Sequence, residues 1–196
     1  MRPKLLLASN SPRRRQLLTK AGFVFEIFAP KVAERFDVDL TLRELTALNA
    51  MRKGLSAARA HPKHIVLAAD TLVAIDHHIL GKPKNKRDAV AMLQRLSGRA
   101  HEVCSTVFIC QLADVKSTSF SEVSHVYFRE LSRVEIDDYF RRVNPLDKAG
   151  AYAAQGFGRK IIERIDGSYT NVVGLPMEKT ISALAEFGIE PRSVKS

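Results

Sequence analysis

The feature that most constrains the fold is an apolar run that stops abruptly: Lys4 to Ala8 is followed by Ser9, Asn10, Ser11 and Pro12, and then by Arg13, Arg14 and Arg15. The run reads as a buried strand, Ser11 as a helix N-cap and Pro12 as a first-turn proline, so a strand must pass directly into a helix, which Gly22 can stop. A helix N-terminus already presents partial positive charge, which disfavours cations. Arginines placed there predict a negative group facing them.

The alternation continues along the chain. FVFEIFAP reads as a second strand and KVAERFDVD as a charged loop. Thr41 and Glu44 form a capping box opening a long amphipathic helix, in which Leu42, Leu45, Leu48, Met51 and Leu55 repeat at helical spacing. HIVLAAD is a third strand ending in Asp70, with a short hairpin turning at 76–78 after it, and DAVAMLQRLSG is a helix closed by Gly98. Two long strand-like runs, His101 to Leu112 and Thr118 to Leu131, precede a helix capped by Ser132 and Glu135; RKIIERI is a further strand and LPMEKTISALAEFG the last helix. Strands interleaved with helices predict an α/β fold with a mixed central sheet flanked by helices. With 196 residues and no repeat or linker, one domain over 1–196 is expected.

Charge narrows the class of ligand. The formal charge of +10 suits a nucleic acid, an anionic surface or a small polyanion. The basic residues are scattered and there is no Trp, zinc-finger or basic-zipper pattern, so a small anionic substrate is the more economical reading. A basic module that grips nucleic acid or a cell-division partner without catalysis is the rival. No apolar stretch approaches the roughly 20 residues that cross a bilayer, and the stretch around Arg2 and Lys4 is too short for a signal peptide, so a cytoplasmic location is expected. Cys104 and Cys110 fall on one strand roughly 20 Å apart and are expected as buried thiols.

Several residues could carry chemistry. In SNSPRRR the serine hydroxyls, helix-start N–H groups and guanidiniums can converge on phosphate, with Arg13 and Arg14 favoured over Arg15 because successive helical residues diverge by about 100°. A capped surface helix with solvated arginines is the alternative. Asp70 can bind a metal or accept a proton from water, or simply cap a strand end. Thr71 beside it can line a pocket or be an ordinary strand residue. Lys82 in GKPK and Lys53 on the charged side of the long helix are each a phosphate ligand or a solvated lysine. Glu34 is a second acidic ligand or an exposed loop residue. Gln155, in the glycine-rich GAYAAQGFG, has the donor and acceptor needed to read a nucleobase edge. The histidines do not assemble into a zinc pattern, and no G-x-S-x-G elbow occurs.

In order along the chain, LLLASNSPRRRQLL, AADTLVAID, GKP, LSG, PLDKAGAYAAQGFG and IDGSYTNVVGLP resemble the Maf family of nucleoside triphosphate pyrophosphatases. The resemblance implies an inosine triphosphatase-like architecture with a cleft between two lobes. It implies phosphate binding by Ser9, Arg13, Arg14, Lys53 and Lys82, Asp70 as proton acceptor, and Glu34 with Asp70 as ligands of a divalent metal cation (Mg, Mn or Co). Arg13, Thr71 and Gln155 match the subgroup acting on dTTP and UTP rather than the one acting on 7-methyl-GTP. A nucleoside triphosphate substrate is a further implication and a homodimer is suggested, while the scattered basic residues and the lack of a spanning stretch lead to the expectation of no stable nucleic-acid or membrane binding. Two departures stand out: KVAER lacks the second acidic residue often found beside the Glu, and Arg52-Lys53-Gly54 replaces the common Glu-Lys-Ala.

Overall fold

The computed structural model describes residues 4–36 and 39–192. Arg2, and Asp37 and Val38 of the charged loop, lie outside the described residues. The strands are β1 (Leu5–Leu7), β2 (Phe25–Ile27), β3 (Ile65–Ile75), β4 (His78–Leu80), β5 (Ala100–Gln111), β6 (Lys116–Phe128) and β7 (Ile162–Asp166). They form one seven-stranded sheet in the order β2-β1-β3-β5-β6-β7, with β4 on β3. β1 pairs in parallel with β2 and β3, whereas β4 and β7 pair antiparallel with β3 and β6, so the sheet is mixed as expected. The helices include α1 (Pro12–Lys20), α2 (Leu42–Ala60), α3 (Lys86–Leu96), α4 (Arg133–Arg142), α5 (Tyr169–Val173) and α6 (Met177–Glu186).

The chain divides into two compact units. The first comprises Met1–Asp70, Ser105–Glu122 and Gly174–Ser196, and the second Thr71–Cys104 and Val123–Val173. In the first, alternate strand residues point to opposite faces, and both faces are covered. Leu5, Leu7, Ile65, Leu67, Ala69, Val107 and Ile109 pack with Leu18 of α1 and with Met177, Ala183 and Leu184 of α6. Leu6, Ala8, Val66, Ala68, Phe108 and Cys110 meet Ala50, Ala57 and Ala58 of α2. Double burial is why these strands read as continuous apolar runs. Truncating a fully buried side chain such as Leu67 to Ala removes about 2–5 kcal/mol.

The expected helix at α2 is present and its Thr41/Glu44 capping box is formed, but the buried face is not the Leu/Met stripe. Met51 is exposed and Leu42, Leu48 and Leu55 are only half-buried; the inner face carries Leu45, Thr46, Asn49, Ala50, Gly54, Ala57 and Ala58. Small residues win this face because the helix lies close on the sheet: a Cβ on Gly54 would overlap the Phe108 ring. Lys53 is correspondingly not on a solvated side, its side chain being only 14% exposed.

Asp70 also differs from expectation. β3 does not end there but runs on to Ile75, and the hairpin turn follows at Asp76 and His77, both with positive φ. β1 stops at Leu7, the partner of Leu67, three residues short of Asp70. The carboxylate therefore stands on a continuing strand, past the last residue of β1 that pairs with it.

The second unit has its own core, with Val73, Ile75, Leu80, Leu93, Leu96, Val126, Phe128, Ile136, Tyr139, Tyr152 and Ile161 buried together. His101 is enclosed in it, edge-on to both Phe128 and Tyr152, with Nε2 2.8 Å from the Tyr152 hydroxyl. Both cysteines are buried thiols outside any disulfide, and burial pushes Cys110 up to about 11.

Candidate active site

The site can be built wholly within the first unit, from α1, α2, β3 and the loop before α2. At the strand-to-helix turn, the Ser11 hydroxyl accepts from the Arg14 N–H, as an N-cap should. The same turn directs the Arg14 side chain inward. Its Nε donates to the Gly174 carbonyl (2.8 Å) and its Nη1 to the Ser9 hydroxyl (3.3 Å), which also accepts from the Ser11 N–H (3.1 Å). Arg14 is only 9% exposed, and burial holds its guanidinium below the usual arginine range, with Arg13 adding to that effect and the negative charges of Asp70 and Glu34 opposing it. Those two carboxylates are the negative groups that the arginine-rich turn required.

Asp70 has the strand parity of Val66 and Ala68, so its side chain leaves the sheet on the α2 side. There the Lys53 ammonium donates to Asp70 Oδ1 at 2.6 Å and to Glu34 Oε1 at 2.9 Å. Asp70 is 3% exposed, so its charge is held by partners rather than by water. One turn before Lys53, Asn49 is almost fully buried, with Oδ1 accepting from the Arg35 N–H (2.8 Å) and Nδ2 donating to the Arg35 carbonyl (3.0 Å) and, over a longer 3.4 Å, to Asp70 Oδ2.

Five of the nine residues singled out in the sequence are thus linked here: Ser9, Arg14, Glu34, Lys53 and Asp70. Arg13 precedes Arg14 on α1 and is half-buried, while Arg15 is exposed, the order expected from the helical turn. Thr71, Lys82 and Gln155 belong to the second unit. Thr71 follows Asp70 on β3 and is half-buried, Lys82 is exposed in the segment after β4, and Gln155 is half-buried at the start of a 3-10 helix, Gly156–Lys160. Asn49 was not anticipated. Its signal was available as a polar residue four positions before Lys53, on one helix face.

Two carboxylates that share one cationic nitrogen also form a donor set for a hard divalent cation, provided that phosphate oxygens and water complete the shell, as Mg²⁺ commonly requires. Among the described residues no group of three or more His, Cys, Asp or Glu could hold a metal by itself. The fit is therefore to a cation held jointly with a polyphosphate.

The sequence matches the family description "Maf-like protein" over residues 4–187. The chain belongs to the Maf-like family. Among curated relatives, a protein of Bacillus pumilus (strain SAFR-032) named dTTP/UTP pyrophosphatase is 44% identical over 188 residues, covering 96% of this chain and 98% of its own length. Proteins of the same name from Bacillus anthracis and Bacillus cereus (strain AH820) are 43% and 42% identical, each covering 95% of this chain and 97% of their own length. Among solved structures, a HAM1 protein from Coxiella burnetii aligns with a TM-score of 0.47 and 16% identity, over 67% of this chain and 75% of that one. No helix among the described residues is long and apolar enough to cross a membrane.

Proposed function

We propose that this chain is a cytoplasmic nucleoside triphosphate pyrophosphatase, acting as one domain, that hydrolyses dTTP and UTP to the nucleoside monophosphate and pyrophosphate. The observation that carries the reading is the Glu34–Lys53–Asp70 ion cluster, closed on the buried Asp70 carboxylate, whose negative charges act on Arg14 of the Ser9/Arg14 turn. The names of relatives more than 40% identical over nearly the whole chain supply the substrate class.

Ser9, Arg13, Arg14, Lys53 and Lys82 hold the triphosphate, and the helix start adds N–H groups suited to phosphate oxygens. Glu34 and Asp70 hold a divalent cation (Mg²⁺, Mn²⁺ or Co²⁺), which supplies neutralisation of phosphate charge when bound. Asp70 Oδ1 is engaged by Lys53 at 2.6 Å, whereas Oδ2 receives the longer Asn49 bond, so Oδ2 is the oxygen assigned to take a proton. Water attacks the α-phosphorus, its proton passes to Asp70 Oδ2, and the bond from the α-phosphorus to the bridging oxygen breaks to release pyrophosphate. Arg13, Thr71 and Gln155 select the pyrimidine.

The test is pyrophosphate release from dTTP, UTP, CTP, GTP and 7-methyl-GTP, with Asp70→Asn in parallel. Preference for dTTP and UTP, and loss of turnover in a folded Asp70→Asn variant, are expected. Preference for a purine overturns the substrate assignment, and undiminished turnover by Asp70→Asn overturns the role of that carboxylate.

A further inference from the structure

Two consecutive loop residues are clamped to α2 by two residues one helical turn apart, and both clamps end on the same carboxylate. Glu34 is held by Lys53 through its side chain, Arg35 is held by Asn49 through its backbone, and Lys53 and Asn49 each donate to Asp70. The Asn49 amide has no freedom in this arrangement. Its Oδ1 meets an N–H and its Nδ2 a carbonyl of one residue, so a flipped amide would set donor against donor and acceptor against acceptor. With one Nδ2 hydrogen committed to the Arg35 carbonyl, the other is turned toward Asp70 Oδ2, whereas Lys53 meets Oδ1.

We infer that Asn49 is a positioning residue for the pyrophosphatase reaction: it fixes the Glu34–Arg35 loop in register with Asp70 and orients the Asp70 carboxylate through Oδ2. The inference rests on the assignment of Asp70 as proton acceptor. Asn49 itself is nearly inaccessible to substrate at 1% exposure, and its amide is engaged by the Arg35 backbone and Asp70. Its effect therefore falls on the alignment of the two carboxylates and not on capture of the phosphate tail.

The experiment compares Asn49→Leu, which removes all three bonds at similar volume, with Asn49→Asp, which keeps an acceptor for the Arg35 N–H but loses both donors. The wild-type enzyme and Glu34→Gln are measured alongside, and melting temperatures confirm folding. Loss of outer hydrogen bonds to ligating carboxylates costs about 10–100-fold in activity. That loss is expected in kcat for dTTP, with KM changed by no more than about twofold on the same principle of untouched phosphate contacts. Because Asn49 acts in part through the loop, Asn49→Leu combined with Glu34→Gln should cost less than the product of the two single losses.

A kcat within twofold of wild type in either folded Asn49 variant, a loss confined to KM, or full additivity with Glu34→Gln overturns the inference. If Asn49→Leu does not fold, the Asp variant decides by the same criteria. Failure of the underlying reading is separately visible, because it appears as retained turnover in Asp70→Asn whatever the Asn49 variants do.

Discussion

Lys53 Nζ lies 2.6 Å from Asp70 Oδ1 and bridges that carboxylate to Glu34. The largely enclosed Lys53 ammonium offsets both negative charges directly, and without it Asp70, at 3% exposure, keeps no ion pair at hydrogen-bond distance described here beyond the longer-range Arg14 charge. Lys53→Met should therefore lower stability by about 2–4 kcal/mol, toward the lower part of the range for broken buried pairs because Lys53 retains some solvent contact. Adding Asp70→Asn should recover part of that loss by removing the orphaned charge. Urea unfolding of the two single variants and the double variant checks this, and a double variant less stable than Lys53→Met contradicts it.

Arg14 uses two different edges of its guanidinium, Nε on the Gly174 carbonyl and Nη1 on Ser9. An ammonium has the charge but not the fork, so Arg14→Lys cannot keep both bonds and leave donors for phosphate. We expect kcat/KM for dTTP to fall by about tenfold or more, equal to a loss of roughly 1.4 kcal/mol or greater in transition-state binding. Steady-state kinetics with dTTP decide it; an unchanged value would show that charge alone suffices there.

How far the sequence could be read follows from which interactions are local. The Ser11 and Thr41 caps and the strand-to-helix turn at Pro12 depend on residues within four positions of one another, and all were legible. The inner face of α2 was not, because its composition answers to Phe108, far away in the chain; Leu and Met spacing pointed to one face while close approach selected Gly and Ala on another. Asp70 looked like a strand end because a charge interrupts apolar residues. The strand continues through it because Lys53 and Asn49 satisfy the carboxylate without a turn. Each phosphate-binding candidate was visible singly, whereas the pairing of Glu34 with Lys53 and Asp70 required the loop, α2 and β3 to meet.

The glycine in Arg52-Lys53-Gly54 supplies a packing test. Alanine has the higher helix propensity by roughly 1 kcal/mol, so an exposed position would gain from Gly54→Ala. Here the added methyl meets the Phe108 ring, and overpacking of this kind costs about 1–3 kcal/mol. We expect net destabilisation, and a drop in turnover as well, since Lys53 is the adjacent residue. Phe108→Leu should relieve both effects in the double variant. A Gly54→Ala protein more stable than wild type in chemical denaturation would show that α2 can shift outward freely.

His101 gives a pH dependence with a definite sign. Burial lowers its pKa from the ordinary 6.5 to about 3, because the imidazolium would lie among Phe128 and Tyr152 with no carboxylate described beside it. Below pH 6.5 the unfolded chain takes up a proton that the folded chain refuses until about pH 3. The stability contributed by neutral His101 is thus fully present above the unfolded pKa and is lost as the pH falls through this window. The limiting slope is about 1.4 kcal/mol per pH unit from this one residue. Urea unfolding of the wild-type protein between pH 7 and pH 4, at the acid side of neutrality where the folded imidazole is still neutral, should show this slope superposed on the carboxylate contributions. His101→Gln, which keeps a hydrogen-bonding group near the Tyr152 hydroxyl but does not titrate, should have a flatter profile in the same range. Parallel profiles for the two proteins would mean that the folded chain admits the proton at His101, contrary to its enclosure in the core of the second unit.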